Sequence, residues 1–131
     1  MKKSGILHHQ LAQTIAAMGH TDMLVISDAG LPVPPGVLCI DLAVQAGLPR
    51  FLDVVTAVAG ELQVERLILA QELVDRDTPL PAQVQALFPN AGTTLVSHAE
   101  FKDLCRQARA VVRTGECTPY ANVILCSGVT F

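Results

Sequence analysis

The stretch Met18-Gly19-His20-Thr21-Asp22, running through the apolar segment Met23 to Ser27 into Asp28-Ala29-Gly30-Leu31-Pro32-Val33-Pro34, constrains the fold most. Met23 to Ser27 is continuously apolar rather than alternating, the pattern of a strand buried on both faces. Such a strand needs a layer of structure on each side of its sheet. Gly19 stands where a preceding helix can end, and Asp28 where the strand stops and a stiff Gly/Pro loop begins. Two titratable side chains, His20 and Asp28, are thus held at the ends of regular elements, where open α/β sheets place their chemistry.

The remaining periodicities supply the other layers. Leu7, Leu11, Ile15 and Met18 recur at helical spacing, with His8 and His9 in the first turn of that helix, pointing apart and solvated. A second strand is expected over Val37 to Asp41, then a helix with Pro49 in its first turn and Phe51 or Leu52, Val55, Val58 and Leu62 on its apolar stripe. Arg66 to Gln71 reads as a third strand, Glu72 to Pro81 as a polar surface connection, and Pro81 to Phe88 as a short helix. Thr93 to Val96 is a fourth strand. Ser97-His98-Ala99-Glu100 then has the S-x-x-E form of a capping box, backed by Phe101, Leu104, Cys105 and Ala108. Ala110 to Arg113, a loop from Thr114 to Ala121, and Asn122 to Cys126 complete the chain. The expectation is one domain over residues 1–131, a three-layer α/β/α fold with a sheet of about six strands.

Composition excludes several classes of function. With 50% hydrophobic residues and a mean hydropathy of +0.42, the chain has more apolar surface than a small domain easily hides, which predicts a homo-oligomer. No run approaches the roughly 18 apolar residues of a membrane span, so no membrane partner is expected. A net charge of -3, with Lys and Arg scattered singly, gives no footprint for nucleic acid. The amino terminus lacks the apolar segment of a secretory signal, and a cytoplasmic location is expected. Cys39, Cys105, Cys117 and Cys126 form no C-x-x-C pair and read as small core thiols rather than a metal or reactive set. Phosphate-loop, dinucleotide, zinc-protease and nucleophile-elbow motifs are all missing.

What remains is a set of His, Asp, Tyr and Asn side chains, suited to a neutral polyhydroxylated ligand whose hydroxyls both donate and accept. His20, just past one helix, and His98, in the first turn of another, sit in opposite helix-dipole fields, one biased toward acid and one toward base. Their plain readings are a helix-end residue and an exposed first-turn residue. Asp28 either braces the Gly30-Leu31-Pro32 turn or, as a carboxylate, accepts from a ligand hydroxyl or orients His20. Lys102 shares a helix face with His98 and reads as solvated. Tyr120, the single tyrosine, is a core plug or, beside Asn122, a ligand-facing group.

His20-Thr21-Asp22, Asp28-Ala29-Gly30-Leu31-Pro32, Ser97-His98 with Glu100-Phe101-Lys102, and Arg113 through Asn122 together resemble the motifs of the ribose pyranase/fucose mutarotase family, in order and over essentially the whole chain. The resemblance implies a cofactor-independent isomerase that interconverts the pyranose and furanose rings of β-D-ribose. It makes His20 the catalytic proton donor and makes Asp28, His98, Tyr120, Ala121 and Asn122 sugar-binding, Ala121 through its backbone alone. Arg113 and Glu116 would brace the last loop. It further implies a homo-oligomer, a decamer of stacked pentamers, in which that loop reaches a neighbouring subunit's site. The rivals are a fucose-type mutarotase, a non-catalytic sugar-binding protein and a phosphohistidine carrier.

Overall fold

The computed structural model describes residues 1–131. Its elements are α1 (His9–Ala17), β1 (Met23–Ser27), β2 (Leu38–Asp41), α2 (Phe51–Ala59), β3 (Val64–Ala70), α3 (Gln71–Asp75), α4 (Leu80–Leu87), β4 (Gly92–Val96), α5 (His98–Leu104), β5 (Ala110–Arg113) and β6 (Val123–Ser127). They build one six-stranded sheet in the order β2-β5-β1-β6-β3-β4. β6 runs antiparallel to both of its neighbours, and the other pairs are parallel. The reason lies in the connection. A parallel crossover takes about a dozen residues or more, usually a helix, whereas the segment between β5 and β6 contains none. β5 and β6 flank β1, so that segment arches over the carboxyl end of β1.

The three layers follow from alternation along the strands. Leu24, Ile26, Ile40, Leu67, Leu69, Val112 and Leu125 point to one face and pack with α1, α2 and α4 in the larger core. Val25, Ile68, Val111 and Ile124 point to the other, against Phe101 and Cys105 from α5 and the turn after it. In β1, Leu24, Val25 and Ile26 are all fully buried, as the continuous apolar pattern requires. The capping box forms: Ser97 Oγ accepts from the Glu100 amide at 3.1 Å, and the Glu100 carboxylate accepts from the Ser97 amide at 3.3 Å.

Several local expectations are corrected. His8 is the N-cap of α1 rather than a first-turn residue, its Nδ1 accepting from the Leu11 amide at 3.3 Å, and Leu7 stays outside the helix and exposed. Gly19 does not close α1, which ends at Ala17 with Met18 as its C-cap. The chain turns extended at Met18, and the positive φ of 71° falls on Thr21, because the Asp22 carboxylate accepts from the Gly19 amide and closes the turn itself. Pro49 precedes α2, whose N-cap is Arg50. The supposed surface connection after β3 contains α3, which buries Leu73. Only Cys105 and Cys126 are buried; Cys39 lies on the open face of edge strand β2, and Cys117 on the last loop.

Phe101 is the only phenylalanine in the smaller core, so its truncation leaves α5 with little to hold it. Phe101→Ala is expected to cost about 3–5 kcal/mol in urea unfolding.

Candidate active site

The carboxyl ends of β1, β3 and β5 and the amino end of β6 share one rim of the sheet. The loop from Thr114 to Asn122 is pinned across it residue by residue. Thr114 Oγ1 donates to the Ser27 carbonyl at 2.7 Å, and the Ala29 amide donates to the Glu116 carbonyl at 2.8 Å. Asn122 and Asp28 bond in both directions: the Asp28 amide donates to Asn122 Oδ1 at 2.8 Å, and Asn122 Nδ2 donates to Asp28 Oδ2 at 3.1 Å. Asp28 Oδ1 also accepts from the Gly30 amide at 3.0 Å, so the carboxylate braces the turn as well as facing the loop. Gly115 fits because a Cβ there would lie 2.5 Å from the carbonyl oxygens of Gln45 and Leu48.

Arg113 and Glu116 brace this loop. Arg113 donates to the Ala29 carbonyl at 3.0 Å and pairs with Asp41 at 2.8 Å. Burial pushes the Glu116 carboxyl up, but hydrogen bonds from the Thr118 amide and hydroxyl and the Phe51 and Cys117 amides outweigh it and hold it below its ordinary value. Tyr120 adopts φ 64°, left-handed and unusual for a side chain of its size, and this turns its ring toward α5. There it meets His98 edge-on, with ring centroids 5.0 Å apart. The His98 amide donates to the two Glu72 carboxylate oxygens at 2.8 and 3.1 Å, which ties α5 to α3. That bond is the main reason the Glu72 carboxyl lies below its ordinary value. His98 Nδ1 is buried and has no hydrogen-bond partner.

Asp28, Gly30, Leu31, Pro32, His98, Pro119 and Tyr120 line a cavity of about 310 Å³, near the lower limit for small-molecule sites. Ala121 and Asn122 lie behind it, fully buried. Three clefts are larger, about 420 Å³ beside Pro32–Pro35, about 550 Å³ between the start of α2 and Thr78–Leu80, and about 370 Å³ between Val96 and α5. None gathers the His, Asp and Tyr side chains, so chemistry rather than size selects the smaller one. Lys102 is exposed and lines the 420 Å³ cleft, not the cavity.

His20 lies elsewhere. It precedes β1 while Asp28 follows it, and the length of that strand, roughly 16 Å, separates them. Its ring is hydrogen-bonded through Nε2 to Glu65 Oε2 at 2.9 Å, at the opposite rim. Within one chain Asp28 therefore does not orient His20.

Residues 1–130 match the model of the RbsD / FucU transport protein family. The chain belongs to that family. It is 62% identical to a D-ribose pyranase of Paracidovorax citrulli, over 100% of both chains. It is 50% identical to Bacillus subtilis RbsD in a structure complexed with D-ribose, with a TM-score of 0.96 and 100% of each chain covered. The fucose mutarotase of Streptococcus pneumoniae, solved in complex with L-fucose, shares the fold at a TM-score of 0.76 but only 21% identity, over 93% of each chain.

For this RbsD / FucU chain, sequence reasoning overlooked the two glutamates that hold the histidines. Glu72 sat in a segment read as surface, although its place directly after a strand was a signal that it stands on the rim. Glu65 carried no local signal, since its contact spans 45 residues of sequence.

The Asp28–Asn122 pairing makes a sharp expectation. Asn122→Asp sets a second carboxylate about 3 Å from the first and should lower stability by about 1–3 kcal/mol at neutral pH. Repulsion raises the folded-state pKa of the pair above its unfolded value, so the loss should shrink as pH falls and the pair binds a proton. Urea unfolding of both proteins at pH 7 and pH 5 measures it.

Proposed function

We propose that this protein is a D-ribose pyranase, interconverting the β-pyranose and β-furanose forms of D-ribose by ring opening and reclosure. One observation carries the reading: Asp28, His98 and Tyr120 converge on one cavity in a chain that superimposes over its full length, at 50% identity, on a ribose-complexed relative. The much lower identity to the fucose mutarotase favours ribose over fucose.

The chemistry needs a positioned acid and a positioned base. In this reading His20, as imidazolium, gives a proton to the ring oxygen while the anomeric hydroxyl loses its own to His98 or to a water. The bond between ring oxygen and anomeric carbon breaks, leaving the open-chain aldehyde. After rotation, the hydroxyl of the neighbouring carbon adds to the carbonyl. Its proton returns to His20, and the carbonyl oxygen regains the proton held by the base, so no net proton is consumed. Asp28 accepts from sugar hydroxyls, and His98 and Tyr120 flank the ring. Ala121 and Asn122 hold the loop in place, and Asn122 keeps Asp28 aimed at the sugar.

Because β1 separates His20 from Asp28, the acid in each site comes from a second copy of the chain. The family resemblance and the apolar composition support a homodecamer of stacked pentamers in the cytoplasm. Light scattering is expected to give a mass near ten times 13.9 kDa.

Saturation-transfer NMR of ribose provides the central test. His20→Ala should slow ring exchange by roughly 10²-fold or more; exchange at the wild-type rate removes His20 from the mechanism. Mixing dissociated His20→Ala and His98→Ala chains and letting them reassemble should recover on the order of a quarter of the sites, since each needs one intact group from either copy. Sites complete within one chain would recover nothing.

A further inference from the structure

We propose that Glu65 is the positioning residue for His20: it holds the ring by Nε2, so that the proton handed to the sugar leaves from Nδ1. This inference rests on the assignment of His20 as acid and extends it to an atom and a supporting side chain.

Three features of the backbone converge on the pair. β3 pairs with β6 through Val64 with Ser127 and Arg66 with Cys126, which leaves Glu65 as the extra residue of a bulge. Bulges re-aim a side chain out of the regular alternation, and this one turns Glu65 toward His20. Next, Gly128 passes so close that a Cβ on it would lie 3.1 Å from Glu65 Cβ and 3.4 Å from the Glu65 amide nitrogen. The glycine is what lets the bulge sit against the end of β6. Thr21 takes its positive φ directly after His20, while its amide donates to the Ser127 carbonyl at 2.9 Å and the Ser127 amide donates to the Asp22 carbonyl at 2.8 Å. The histidine's backbone is thus fixed to the strand end that faces Glu65.

With Nε2 at 2.9 Å from the carboxylate, Nδ1 makes no hydrogen bond within the chain, and the ring is about half exposed. A carboxylate accepts only, so Nε2 carries a hydrogen whichever charge state the ring is in. The labile proton is the one on Nδ1, and Nδ1 is the nitrogen a neighbouring copy's sugar meets. Asp22 in the turn is paired with Arg109 before β5 at 2.9 Å, and the Arg66 guanidinium donates to Cys126 Sγ, so Glu65 is the carboxylate that holds the ring.

Glu65→Gln keeps an acceptor but removes the charge, and it changes an exposed side chain, so the fold and assembly should persist. The expected result in the intact oligomer is a fall in kcat of about tenfold with KM for ribose within twofold. In a His20→Ala background the same change should have no further effect. Nitrogen-15 NMR of the neutral His20 ring should show the hydrogen on Nε2 in the wild type and a mixture of tautomers in Glu65→Ala. Wild-type kcat in Glu65→Gln overturns the proposal, as does an equal loss with His20 already removed, or a hydrogen found on Nδ1. A His20→Ala protein that exchanges ribose normally defeats the earlier assignment of the acid instead, which separates the two failures.

Discussion

The reciprocal bonding of Asp28 and Asn122 holds the functional rim together. It joins the exit of the central strand to the entrance of the only strand that runs against its neighbours, and both ends of a buried amide are used in doing so. One of the two bonds is to a carboxylate and belongs to the stronger, charge-assisted class. With that joint closed, the preceding loop has little freedom. Thr114 is already tied to Ser27 at the end of β1 and Glu116 to Ala29 just after it, and Tyr120 takes up its left-handed conformation in the segment that remains. The edge-on contact with His98 then follows from where the loop ends, and the cavity is the space these constraints leave.

Much of this was legible in the residues themselves. The unbroken run from Met23 to Ser27 announced a strand covered on both sides, and Ser97 with Glu100 announced the start of α5, because both signals are local and each reflects one physical requirement. The direction of β6 was not legible, since an apolar run looks the same read either way; only the helix-free loop before it hinted at the reversal. α3 was hidden because a single buried leucine carries no period. Cys39 was read as core because its strand was recognised while its place at the sheet edge was not. The separation of His20 from Asp28, by contrast, lay in plain sight. They bracket one strand, and strand length alone rules out a direct contact between them within one chain.

The two faces of the sheet are unequally dressed. α1, α2 and α4 cover one, while α5 and the turn that follows it cover the other, leaving β2 and β4 open at the edges with Leu38 and Leu95 exposed. Leu7, Val44 and Leu48 add further exposed apolar surface away from the strands. A chain of this size does not need exposed leucine on both edge strands for its own stability, but it does need apolar contact if other copies are to sit beside it.

The placement of His20 and the Asp28–His98–Tyr120 cavity at opposite rims also bears on how such a protein responds to its own abundance. If His20 serves a second copy as proposed above, a solitary chain carries half of two different sites and a whole one of neither. Specific activity would then track the degree of association, falling away on dilution even with every molecule correctly folded, so the amount of protein made would itself act as a threshold.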